Sequence, residues 1–200
     1  MTTWNDPTLG SFDCGRFGWT RTIQLPAFKS FSYRKPWVTK PPGKPKFSIL
    51  LPSFGPGRGK RTVPPQAEVR IARAVFESQA RIAELVLATF WDEFNGRGAV
   101  SGLWWRGKLE QIRATVEVSG LGPLDGPADL KRLLRLTDVA IAPFIDGSDE
   151  PVAQLCFVAA FEPEHGVGVL TDGQAILGTG YMMEVQPYPR PRRRRSGSSR

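Results

Sequence analysis

The spacing of hydrophobic positions changes period several times along the chain, and each change marks an element. Trp19 to Leu25, WTRTIQL, alternates large or β-branched residues with polar ones, the period of a half-buried strand, and Pro26 ends it. KFSILL, residues 46–51, is a second strand candidate. Between them FKSFSYRKPWVTKPPGKP mixes aromatic, basic and proline residues and predicts an irregular strand followed by an exposed turn. FGPGRGKRTVPP, residues 54–65, is a loop by composition, which completes an N-terminal antiparallel meander. Residues 66–94 then switch to a helical period. Ala72, Val75, Phe76, Ile82, Ala83, Val86 and Phe90 share one face, while Arg73, Glu77, Arg81 and Glu84 take the other. Pro64 and Pro65 introduce this single long helix, and Asn95 with Gly96 stops it.

A short helix is expected around Leu109 to Arg113, with β-branched residues directly after it. Pro127 suits the first turn of another, ADLKRLLRL, because its missing amide hydrogen is not needed there. Strands follow at 137–144, TDVAIAPF, and at 152–161, VAQLCFVAAF, with a turn of Asp146, Gly147, Ser148 and Asp149 between them. A turn at Pro163–Gly166 leads to a strand at 167–170. Asp172-Gly173 then marks a tight hairpin into 175–185, where Gly178 and Gly180 predict a bulge or a close approach of another backbone. The predicted class is α+β: an antiparallel sheet from an N-terminal meander and C-terminal hairpins, packed by one long helix and one or two short helices.

Two hundred residues, 40% of them hydrophobic, suit one domain over 1–186, with a basic Pro/Gly-rich strand-loop region at 29–61. No basic segment followed by an apolar run opens the chain, and no stretch is apolar enough to span a bilayer, so a cytoplasmic protein without a membrane partner is expected. The net charge of +8 is unevenly placed: residues 1–61 carry +9, residues 62–186 carry −7, and residues 187–200 add +6. The last segment, with Arg192, Arg193, Arg194 and Arg195 in a row, has too little to bury and too much like charge to fold, and reads as a disordered tail. The basic stretch from Lys29 to Arg61 faces either the acidic middle of the same chain or an outside polyanion.

Candidate chemistry is sparse. His165 is the only histidine, which removes two-histidine metal sites and the HExxH motif. Glu162, Glu164 and His165 are close enough in sequence for a metal cluster. They serve equally well to order a hairpin through side-chain to backbone hydrogen bonds, with Gly166 at positive φ. Cys14 or Cys156 with His165 is the only thiol–imidazole combination, and the apolar run around Cys156 argues against a thiolate there. Gly55 to Lys60 is glycine-rich and basic but lacks the GxxxxGK[ST] spacing of a phosphate loop. Trp104 and Trp105 either anchor their segment in the core or present a contact to a ligand or partner. The residues call for no cofactor.

From Asp129 to Gly180, DLKRLLRLTDVAIAPF followed by an apolar strand and EPEHGVGVLTDGQAILGTG resembles an uncharacterised bacterial family with an acidic-acidic-His-Gly-x-Gly-Val hairpin. GWTRTIQLPAF and PPQAEVRIARAVFE extend the likeness over most of residues 9–185. Pro163 within the acidic turn, the basic stretch and the arginine tail depart from that pattern. The resemblance implies a loose association with immunity-type proteins and offers no catalytic residues. The expected function is therefore a non-enzymatic module that binds a toxin-like protein, with Glu162, Glu164, His165, Gly166 and Gly168 as the motif. Two alternatives stand beside it: non-specific nucleic-acid or polyanion binding through Arg192–Arg195 and residues 29–61, and a hydrolase using His165 with Glu162 or Glu164.

Overall fold

A computed structural model describes residues 2–15, 17–50, 63–142 and 150–189. The predicted turn at Asp146–Asp149, the end of the 137–144 strand, most of the 54–65 loop and Arg192–Arg195 lie outside those residues. Among the described residues the eight strands are β1 (Thr3–Asp6), β2 (Gly10–Cys14), β3 (Gly18–Thr22), β4 (Lys46–Leu50), β5 (Leu134–Ala142), β6 (Val152–Ala159), β7 (Glu162–Thr171) and β8 (Ile176–Tyr181). They form one sheet in sequence order. Every neighbouring pair is antiparallel except β4 with β5. A parallel pair needs a long crossover. Here it is supplied by the helices α1 (Gln66–Glu77), α2 (Gln79–Phe94) and α3 (Leu109–Val118).

The fold is thus α+β, as the periodicity predicts, with local differences: the irregular strand expected between Leu25 and Lys46 is a 3-10 turn, Pro26–Phe28, followed by irregular backbone, and three others concern the helices. The long helix breaks at Ser78, whose φ of −95° and ψ of 12° leave the helical region. The Gln79 side chain secures the break, donating to the Phe76 carbonyl at 2.9 Å and accepting from the Ala27 amide at 3.2 Å. Two segments can then pack in two directions, α1 on β4 to β6 and α2 on β8 and the flanking 3-10 turns. The predicted ADLKRLLRL helix is only a 3-10 turn, Pro127–Arg132, and the strand starts at Leu134. Leu134 and Leu136 are both buried at a period of two, so burial in the sheet overrides the helix propensity of the leucine run. Conversely, α3 runs on to Val118 despite its β-branched residues, since Ile112 and Val116 at i and i+4 are buried together.

The β1–β2 hairpin precedes the predicted meander. Its loop is ordered by Asp6, whose carboxylate accepts the Thr8 and Leu9 amides at 2.9 Å each. Arg73 of α1 grips the Asp6 carboxylate with two nitrogens, at 2.6 and 3.1 Å. Burial works against ionising Asp6, but these hydrogen bonds outweigh it and hold the carboxyl below its usual range.

The main core lies between the sheet and the helices. Ala153, Leu155, Phe157, Val167 and Val169 point into it from β6 and β7. Val152, Leu170 and Val185, with Leu177 beside them, form a separate small cluster. Strand alternation places Val152 and Leu170 on the opposite face of the sheet. Among the described residues no helix is long and apolar enough to cross a membrane.

Candidate functional site

The sequence predicts a reversal at Pro163–Gly166, but the chain turns earlier, at Ala160–Phe161, and Glu162 already opens β7. Phe161 draws the turn inward: its ring lies 4.7 Å from Trp105 and 5.1 Å from Phe94, edge to face with both. The register then slips. Ala159 pairs with Glu162 and Phe157 with Val167, so Pro163 to Gly166 bulge out opposite Val158 alone. Proline is tolerated there because a bulge frees its nitrogen from the ladder. Gly166 closes the bulge at φ +66°, where a Cβ would sit 2.6 Å from the Phe157 carbonyl oxygen. Gly168 is back in the ladder, opposite Cys156 and Gly180.

Two of the predicted side chains meet in this bulge. Glu162 is 7% exposed, and its Oε1 accepts from the His165 backbone amide at 3.4 Å and lies 2.9 Å from His165 Nδ1. The hydrogen bond to Glu162 lifts the His165 pKa above its ordinary value; Glu162, Glu164 and Glu184 add to this through their charge, against slight desolvation. The imidazole itself is exposed and lies 5.3 Å from the Tyr181 ring. Glu164 does not complete a ligand set: among the described residues no three His, Cys, Asp or Glu side chains come together to hold a metal.

The second oxygen of Glu162 recruits Trp104, whose indole Nε1 donates to Oε2 at 3.4 Å. The adjacent tryptophans therefore divide the two roles open to them. Trp105 is fully buried against Phe94 and Phe161; Trp104 is 57% exposed above the bulge. On the far side Lys35 donates to the Pro163 carbonyl at 2.5 Å, and its ammonium lies 5.8 Å from the ring centre of Trp37, which is 65% exposed. The turn after β8 lies against the bulge as well. The Met182 amide bonds the Gly166 carbonyl at 3.4 Å, and Met183 projects into solvent, 89% exposed. Trp37, Tyr181, Met183 and Glu184 were not singled out by the sequence. Only their neighbours in space connect them.

The other candidates are dispersed. Cys156 is buried, and desolvation, with Asp138 nearby, pushes its thiol up to about 12 despite a hydrogen bond from Gln154. Cys14 is half-buried. Lys29, Arg34, Lys40, Lys44 and Lys46 lie exposed along the surface, and none of them is in an ion pair among the described residues. Comparison with protein-family models, with curated proteins and with solved structures gives no match for this chain.

Proposed function

We propose that this chain is a non-enzymatic protein-binding module of the bacterial cytoplasm, immunity-like in type, and that its binding face is the Pro163–Gly166 bulge with the side chains around it. The observation that carries this reading is Trp104. A large aromatic ring is held out in solvent on a fixed strut, its nitrogen tied to a buried carboxylate that is itself tied to His165. Tryptophan is enriched among hot-spot residues, and a ring already held in place loses little entropy when a partner covers it. Trp37 and Met183 widen the apolar area, and Glu164 with Glu184 gives its rim an acidic character. Such a face suits a partner with a basic surface, because complementary charge speeds encounter while the aromatic anchors slow release. The resemblance to an uncharacterised family loosely associated with immunity-type proteins supports a toxin-like partner.

The test is site-specific photocrosslinking in the native cell. A crosslinker at position 104 or 183 should capture one specific protein, and the same group at Val118, 90% exposed on α3, should not. Equal yields from the three positions, or none, would remove the reading. The polyanion alternative rests on exposed Lys29, Arg34, Lys40, Lys44 and Lys46, none of them in an ion pair among the described residues, together with Arg192–Arg195. It requires that deleting residues 187–200 abolish retention on heparin at moderate salt, and unchanged retention would count against it.

A further inference from the structure

We propose that Met182–Tyr188 is a detachable strap that wraps the edge of the sheet at β8, carries Met183 and Glu184 into the binding face, and lifts as pH rises. The consequence for binding rests on the function proposed above; the strap itself does not.

Its path is set by a floor of bare backbone. Gly168 pairs with Gly180 in the ladder, and Gly178 follows two residues before Gly180 on the same face. A Cβ on Gly168 would stand 3.0 Å from Val185 Cγ1, one on Gly180 would stand 3.1 Å from Val185 Cα, and one on Gly178 would collide with the Gln186 carbonyl. The close approach foreseen for these glycines is therefore made by the residues just beyond β8. Val185 lies on the face away from the helices, in the small cluster with Val152 and Leu170. From there the chain crosses the β8 edge. The Tyr188 amide donates to the Leu177 carbonyl at 2.7 Å, and the Tyr188 hydroxyl reaches Glu93 Oε1 on α2 at 3.0 Å. Thr179 donates to the same oxygen at 2.5 Å.

What holds the strap is local. Val185 is its one buried apolar side chain, and it belongs to the small cluster, so lifting the strap leaves the main core intact. Beside that contact stand the three Tyr188 bonds, to Leu177, Glu93 and Thr179, a Gln154 bond to the Met182 carbonyl at 2.5 Å, the Met182 amide on Gly166 and the Glu184 amide on Tyr181.

Both ends carry titrating groups, and both respond in one direction. Glu93 is 1% exposed beneath the strap, and its Oε2 is buried without a hydrogen bond. Tyr188 and Arg106 face it, with the hydroxyls of Thr179 and Ser101. Burial favours the neutral carboxyl and raises its pKa, against the hydroxyls and Arg106. A lifted strap hydrates Glu93 and returns it to the ordinary carboxylate range, so the closed form loses ground as pH climbs through the raised value. At the other end His165 is faced by Glu162, Glu164, Glu184 and Tyr181. Deprotonating it removes the attraction for Glu184 on the strap.

The experiment is hydrogen exchange of the isolated full chain from about pH 5 to about pH 9, with the Tyr188 and Met182 amides referred to those of β6 and corrected for intrinsic rates. The protection ratio should fall, by at most about tenfold for each pH unit, between the ordinary carboxylate range and the raised Glu93 value, and level off above it as far as Glu93 is concerned. Glu93→Gln should flatten that fall. Gly178→Ala, which obstructs the floor without altering a charge, should lower strap protection at every pH while β6 stays protected. A ratio independent of pH in the wild type, or an unchanged slope in Glu93→Gln, overturns the proposal. Because no partner is present, failure here leaves the binding face standing. Failure of the crosslinking with a strap that lifts leaves the strap standing.

Discussion

Replacing Trp105 and Trp104 in turn by alanine separates the two roles assigned to adjacent, chemically identical residues. Trp105 has no exposed surface and touches Phe94 and Phe161 edge to face, at 4.9 and 4.7 Å between ring centres. A buried tryptophan removes about 200 Å² from water, worth ~5 kcal/mol at about 25 cal/mol per Å². The Trp105 indole N–H, however, is buried without a hydrogen-bond partner. Truncation relieves ~1–2 kcal/mol of that desolvation. The expected loss is then ~3–4 kcal/mol, within the range of core aromatic truncations. Trp104 keeps 57% of its surface in water and gives up one long hydrogen bond, so its removal should cost about 1 kcal/mol and at most ~2. Urea unfolding followed by circular dichroism reads both. With a slope of roughly 2 kcal/mol per M, the midpoint should fall by ~1.5–2 M for Trp105→Ala and by ~0.5–1 M for Trp104→Ala. Partner capture should respond in the opposite order. Equal midpoint shifts, or a larger one for Trp104, would refute the division into anchor and contact.

Other perturbations follow the same reasoning. Asp6→Asn removes a buried carboxylate whose folded pKa is lowered, so it should lose ~1.5–3 kcal/mol at neutral pH. Because that contribution is present above the ordinary carboxylate range and disappears as pH falls through the folded value, the acid limb of a stability–pH curve should be flatter in the variant. The His165 titration, followed by NMR, should lie above the free-imidazole value and return toward it in Glu162→Gln; a midpoint unmoved by that change would deny the pair. Gly166→Ala forces a side chain into the left-handed region and against the Phe157 carbonyl, with an expected loss of ~2–3 kcal/mol in thermal or urea unfolding. A thiol reagent at mildly alkaline pH should modify Cys14 rapidly in the folded protein and Cys156 only after unfolding, and two fast equivalents would contradict the burial of Cys156.

Much of the sheet was legible because buried strands leave short apolar runs bounded by turn residues: KFSIL, VAQLCFVA and the Asp172-Gly173 hairpin stand where apolar runs and turn chemistry predict them. The β1–β2 hairpin had a signal that went unread. Asp6-Pro7-Thr8 followed by Gly10 is an Asx turn with a glycine exit, and Trp4 and Phe12 pair across it. The break at Ser78 had almost none, since its cause is an amide bond from a residue fifty-two positions away. The parallel β4–β5 pair is likewise a matter of where the crossover lands, which no local pattern records.

The bulge shows the same boundary at the level of the site. Glu162, Glu164, His165, Gly166 and Gly168 stood out by composition, and a positive φ at Gly166 followed from its place after the histidine. A turn at those residues would have presented two glutamates and a histidine together to solvent. The earlier reversal at Ala160–Phe161, fixed by the Phe161 ring among Phe90, Phe94 and Trp105, shifts the frame. Glu162 is turned inward and becomes the support of the group, while His165 and Glu164 remain outside. That inward turn is what gives Trp104 a buried partner. The exposed ring above the bulge is therefore a consequence of an aromatic core contact four residues before His165.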